Sequence, residues 1–152
     1  MSTFENIVNI VSAPDPAEFV RGVYRELLQR EAEPAGLSGH LELMHGGTTR
    51  LQVIAGIMLS AEYRSVLNSG APSQYPGPTL HDRIRHLTGG SYAHYVVNLY
   101  QEMLGRACGP QERIMLLAHL MRGHDRLFML SEVLRAPEFI EKLRTRVPHI
   151  PI

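Results

Sequence analysis

A single cysteine and no tryptophan occur in 152 residues. The lone Cys108 excludes an internal disulfide and any zinc site built from cysteines. Without tryptophan the chain lacks the broadest aromatic face on which a sugar ring can stack. Charge of neither sign is in excess: 15 Lys and Arg stand against 15 Asp and Glu. That balance argues against nucleic acid as the partner, because binding the phosphate backbone calls for a basic surface. No apolar run approaches the length of a membrane span. The N-terminus also lacks a basic stretch leading into an apolar one. The expectation is a chain with neither a span nor a secretion signal of its own, placed in the cytoplasm. The last residues, Val147 to Ile152, read as a linker cut short. Alternating strand patterns are missing too.

What the chain does contain is one unit written twice. Residues 1–76 align on residues 77–152 without a gap, and fifteen positions are then identical. Chance at ordinary residue usage gives roughly four or five. Among the identities are Tyr24/Tyr100, Glu26/Glu102, Arg30/Arg106, Pro34/Pro110, Arg50/Arg126 and Glu62/Glu138. A position kept in both units serves the unit itself, whereas a position found in one can serve function. Each half is small for independent folding, so the two are expected to pack into one body. They differ in charge. Residues 1–76 hold five Arg and eight acids, net −3, while 77–152 hold nine Arg, Lys142 and seven acids, net +3.

The fold class is all-α, a tandem of four to five short helices per unit. Asp15-Pro16-Ala17-Glu18 has the cap, first-turn proline and early acid of a helix start. Val20, Val23, Tyr24, Leu27 and Leu28 follow at helical spacing to about Arg30. Its counterpart begins at Ser91. Second helices are expected near 35–45 and 111–122, third helices after Thr49 and Asp125, and short fourth helices at Ser60 and Ala136. A leading helix covers 4–11 and 80–87. The turn-rich stretch 69–79 divides the units.

Several constellations invite a chemical reading. Glu26/Arg30 and Glu102/Arg106 have the four-residue spacing of an intrahelical ion pair. Arg30 and Arg106 end the first helix and are expected to tie it to Glu62 and Glu138 as structural pairs. Tyr24 and Tyr100 lie on the apolar face as core residues. The histidine pairs His40/His45, His81/His86 and His119/His124 are each five apart, which on a helix separates side chains by about 140°. Chelation needs three or four, so no metal site is assigned. Cys108 has Ala32 as its counterpart, and neither a phosphate-binding loop nor a nucleophile–base arrangement is readable. No cofactor and no catalysis are expected.

The run Phe19-Val20-Arg21-Gly22-Val23-Tyr24-Arg25-Glu26-Leu27-Leu28-Gln29-Arg30 continues through Pro34-Ala35-Gly36-Leu37 to Ser60-Ala61-Glu62-Tyr63. It resembles a bacterial domain family of unknown function with an F-V-x-x-L-Y-x-x-L-L-G-R opening and an S-x-E-F close. The second unit matches more loosely through Tyr95 to Tyr100, Leu104-Gly105-Arg106 and Ala136-Pro137-Glu138-Phe139. The resemblance implies a helical module, similar to phycobilisome linker domains, of a kind that accompanies surface-layer proteins, secreted proteins and glycosyltransferases. The leading helix Thr79 to Leu87 is most similar to the glycosyltransferase-associated branch. The family's loop acid and glycine are Glu33 and Gly36 in the first unit but Gly109 and Glu112 in the second. On that ground the second loop reads as degenerate, and a binding site is expected in the first, at Arg25, Glu33, Gly36 and His40.

These readings converge on a non-catalytic, monomeric binding module that recognises a protein partner or a saccharide beside cell-surface polysaccharide assembly. The alternative is a structural, self-assembling module with no small ligand.

Overall fold

The structure, a computed structural model, describes residues 2–152; Met1, where the first unit is taken to begin, lies outside them. The described residues form ten α-helices and no strand. They are α1 (Thr3–Val11), α2 (Pro16–Val23), α3 (Pro34–His45), α4 (Arg50–Met58), α5 (Ala61–Ser69), α6 (Leu80–Thr88), α7 (Tyr92–Leu104), α8 (Pro110–Met121), α9 (Arg126–Arg135) and α10 (Pro137–Arg146). A π-helical turn, Tyr24–Leu28, continues α2.

Side-chain caps fix most of the starts, because the first N–H groups of a helix have no partner within it. Ser2, Asp15, Ser60, Ser91 and Asp125 each accept from the first turn that follows. Thr49 with Gln52 and Thr79 with Asp82 form reciprocal capping boxes. Pro34, Pro110 and Pro137 open α3, α8 and α10 at the position where a missing N–H costs nothing.

One difference between the halves lies in the first long helix. Where α7 runs as an α-helix to Leu104 and ends on Gly105 at φ 69°, the first unit widens into the π turn and ends on Gln29 at φ 58°. A left-handed conformation is strained for a residue with a Cβ. The Gln29 side chain offsets it by donating to the Arg25 and Glu26 carbonyls at 3.1 and 3.2 Å and to Thr79 Oγ1 at 3.4 Å.

A single apolar core runs through both halves, from Phe4, Ile7 and Phe19 to Leu130, Phe139 and Leu143. α1 packs on α6 and α7 as well as on α2, and α4 packs on α9. Phe4 stands edge-on to Phe139 with ring centroids 5.8 Å apart. Polar ties reinforce the seam. The Leu80 N–H donates to Glu26 at 2.9 Å, Asn6 Nδ2 donates to the Pro78 carbonyl at 3.0 Å, and Arg146 holds Glu5 at 2.6 Å. Glu26 is therefore not the intrahelical partner of Arg30 that its spacing suggested. It caps the start of α6, and burial raises its pKa. At the C-terminus Ile150 and Ile152 rest against the core.

Candidate functional site

Two arginines that are nearly superposable in role organise the loops of the two halves. Arg30 Nε and Nη2 donate to Glu62 at 2.7 and 3.0 Å, and Nη1 donates to the Glu31 carbonyl and to Glu33. Arg106 donates to Glu138 through Nε and Nη2, both at 2.7 Å, to the Ala107 carbonyl, and to Glu112 at 2.7 Å. Each guanidinium also lies over a tyrosine ring, Tyr24 at 5.1 Å and Tyr100 at 5.2 Å. Fork-shaped donation to two carboxylates is what guanidinium geometry favours. The bonds to Glu62 and to Glu112 hold Arg30 and Arg106 firmly protonated. The same bonds from Arg106 keep the Glu112 and Glu138 carboxyls below their ordinary range. Glu33 is lowered by its own backbone N–H and by Arg30.

This geometry corrects the reading of the second loop as degenerate. The acid and the glycine have exchanged places, Glu33/Gly36 against Gly109/Glu112, and the carboxylate reaches the same arginine from either position. Gly36 fits closely beside Glu33: a Cβ there would press on the Glu33 carboxylate and come within 2.7 Å of the Tyr24 hydroxyl, so these side-chain ends would have to shift. In the second unit Glu112 takes over and also accepts from the Gly109 N–H at 2.8 Å, closing the start of α8. The exchange is compensated within each loop.

Three of the four residues expected to bind a ligand, Glu33, Gly36 and His40, lie around the Tyr24 ring, and Arg25 does not join them. Glu33 is bound to Arg30 and Gly36 lies under it. Arg25 turns away and pairs with Glu31, Nε to Oε2 at 2.8 Å, while Tyr75 donates to the same carboxylate at 2.9 Å. His40 stands edge-on to Tyr24 with centroids 5.7 Å apart, and its Nδ1 is buried without a hydrogen-bond partner. Arg25 stands apart because its guanidinium is held by Glu31.

The histidine pairs also differ from the simple helical expectation. His81 is fully buried, and its Nδ1 shares a hydrogen bond with the Tyr63 hydroxyl at 3.1 Å. Burial lowers the His81 pKa. His119 and His124 do meet, Nδ1 to Nδ1 at 3.1 Å with stacked rings. The 140° separation does not apply to them because α8 stops at Met121 and Gly123, at φ 86°, turns His124 back. Among the described residues no group of three or more His, Cys, Asp or Glu is placed to hold a metal ion. Cys108 is half-buried, and burial pushes its thiol pKa up, away from a reactive thiolate.

The least expected surface lies on α8. Only Leu116 of that helix is buried, while Ile114, Met115, Leu117 and Met121 are exposed, Met121 by 80%. Ile114, Leu117 and Met121 recur at i, i+3 and i+7 and so form one outward stripe. Beside it an apolar slot of about 290 Å³ opens between α7 and α8, lined by Tyr92, Ala93, Val96, Val97, Arg113 and Leu117. α3, the helix that aligns with it in the first half, presents a shallow, open face formed by Pro34, Leu37, Ser38, Leu41, Glu42 and His45. The sequence held one signal of this. α8 is apolar on more sides than a helix with one buried face needs.

No helix among the described residues is long and apolar enough to cross a membrane. No curated protein and no solved structure matches the chain. Residues 5–67, which span most of α1 through most of α5, match the model of a family described as "Domain of unknown function (DUF4214)".

Proposed function

We propose that the chain is a non-catalytic docking module made of two tandem helical units, 1–76 and 77–152, joined in one body, and that it binds a protein rather than a saccharide. The observation that carries this reading is the α7–α8 surface: among the described residues, Val97, Ile114, Met115, Leu117 and Met121 are five of the six large apolar side chains left exposed. Clustered apolar exposure on a polar-sided domain marks a surface that a partner covers. Its slot is almost wholly apolar and offers few hydroxyl-matching groups, which suits a polypeptide side chain better than a sugar. The arginine clusters, by contrast, have their donors occupied and serve to weld α2, α3 and α5, and likewise α7, α8 and α10. The setting beside cell-surface polysaccharide machinery rests on the resemblance of the Thr79 to Leu87 helix and of the Phe19 to Arg30 run.

A photo-crosslinking residue at position 117, introduced into the chain in its native cell, tests the reading. The expected product is a defined polypeptide adduct that disappears in Met121→Glu. Adducts only to polysaccharide, or tight saccharide binding lost in His40→Ala, would replace it with the glycan-binding reading.

A further inference from the structure

The outward stripes of α3 and α8 are the same face of the two units. In the alignment of the halves Pro34, Leu37, Ser38, Leu41, Glu42 and His45 fall on Pro110, Arg113, Ile114, Leu117, Ala118 and Met121. The two faces have diverged in a complementary way. On α8 the stripe is apolar and protruding, with Ile114 63% and Met121 80% exposed and the exposed Arg113 and Arg122 at its margin. On α3 it is a flatter, less apolar face whose exposed charge is Glu42. The surrounding halves carry the same contrast, net +3 around α8 and net −3 around α3.

We infer that a second copy of this chain is the occupant of the α8 face: the Ile114–Leu117–Met121 stripe of one copy packs on the α3 face of the next, with Arg113 and Arg122 against Glu42. This deepens the docking reading above by naming a partner. A two-fold pairing of α8 with α8 would bury the same apolar stripe, but it brings Arg113 and Arg122 of both copies together. Like charges across an interface are costly, and opposite ones favour encounter and register. The head-to-tail arrangement removes that conflict. A twelve-residue helix is about 18 Å long, so two such faces cover roughly 1,000 Å² in total, at the low end for a specific interface. The contact is therefore weak and concentration-dependent, and it is heterologous, so copies add in series unless a ring closes.

Light scattering on the full chain across concentration, at low and high salt, tests the inference with two variants altered only at exposed positions. One carries Ile114→Glu and Met121→Glu, which disable α8; the other carries Ser38→Arg and Glu42→Arg, which disable α3. Wild-type mass is expected to rise above the 17.1 kDa monomer with concentration, and to rise less in high salt. Each variant alone is expected to weaken association at least about tenfold, since a charge pressed into an apolar contact must give up its water. Mixed one to one, the variants should form a dimer that goes no further, because one intact α3 face then meets one intact stripe. A wild type that stays monomeric to about 1 mM (the level of a Kd worth only about 4 kcal/mol) overturns the inference. If Met121→Glu still removes the crosslinked polypeptide, the docking reading stands without it. A mixture that stays monomeric while the wild type associates also overturns it and places the contact elsewhere or in a two-fold pair.

Discussion

Arg50 is the charged side chain most deeply committed to the fold, and replacing it tests how the α1–α2 corner is built. It is 4% exposed and sits over the Phe19 ring with its guanidinium carbon 4.8 Å from the centroid. Nη1 donates to the Val11 carbonyl at 2.9 Å and to the Ala13 carbonyl, and Nη2 to the Pro14 carbonyl at 3.3 Å. One guanidinium thus satisfies the last carbonyl of α1 and two carbonyls of the loop that leads to α2. Arg50→Ala strands these acceptors. The Val11 bond is buried, and an unsatisfied buried carbonyl costs about 1–3 kcal/mol. Water can reach the other two in part. The lost cation–π contact adds roughly 0.5–1 kcal/mol, and relief of the desolvated charge returns part of this. The expected loss is about 3 kcal/mol, which for a chain of this length lowers Tm by roughly 6–12 °C. Arg126 is the internal control. It makes the equivalent bonds to the Thr88 and Gly90 carbonyls at 2.8 and 2.9 Å, over Tyr95, but on a wetter corner. Arg126→Ala should therefore cost only about 1 kcal/mol, since solvent replaces exposed bonds. Urea and thermal unfolding of both variants decide the matter. Arg50→Ala within about 1 kcal/mol of wild type, or Arg126→Ala the costlier of the two, would show that the corner carbonyls are satisfied some other way.

Arg30→Ala and Arg106→Ala should each cost about 1 kcal/mol, because their side chains are over a third exposed and solvent screens the pairs; a loss several times larger in calorimetry would mean the clusters are drier than they look. Glu33→Gly and Gly36→Glu should each lower Tm, while the double substitution, which copies the second unit, should return it close to wild type; a double variant as unstable as the sum of the singles would refute the compensated exchange. Acidification should weaken the fold in two stages. His81 is held below its ordinary pKa by burial, so the unfolded chain binds its proton first and stability falls as pH drops below about 6.5. Glu112 and Glu138, lowered by Arg106, contribute stability that is lost only as pH falls below about 4.5. His81→Gln should flatten the upper stage alone, and an unchanged melting profile between pH 7 and 5 in the wild type would contradict this. Because the core is continuous and α1 packs on α6 and α7, thermal unfolding should be a single transition, with isolated halves less stable than the whole; two resolved transitions would refute that.

The helices were legible in the sequence because their signals are local. Asp15-Pro16, Thr49, Ser60, Ser91 and Asp125 announce starts, and Gly46-Gly47, Gly105 and Gly123 mark ends, through capping and left-handed φ that need only neighbouring residues. The pairing of Arg30 with Glu62 was also within reach, since both members recur in the second half. Tertiary structure decided everything that depended on where a side chain goes after it leaves the backbone. Glu26 stands four residues before Arg30, yet its carboxylate goes to the Leu80 N–H and caps α6. Glu33 and His40 both come against Tyr24, whereas Arg25, a few residues upstream, pairs away with Glu31. His119 and His124 should diverge on a helix and instead meet, because the helix ends between them. The exchange of Glu33/Gly36 for Gly109/Glu112 looks like decay in one dimension, since only in space do both carboxylates reach the same guanidinium. The exposed stripe of α8 was hidden for a similar reason. Apolar residues at helical spacing say that a face will be covered, and only the packed fold tells whether the chain covers it itself or leaves it open to another molecule.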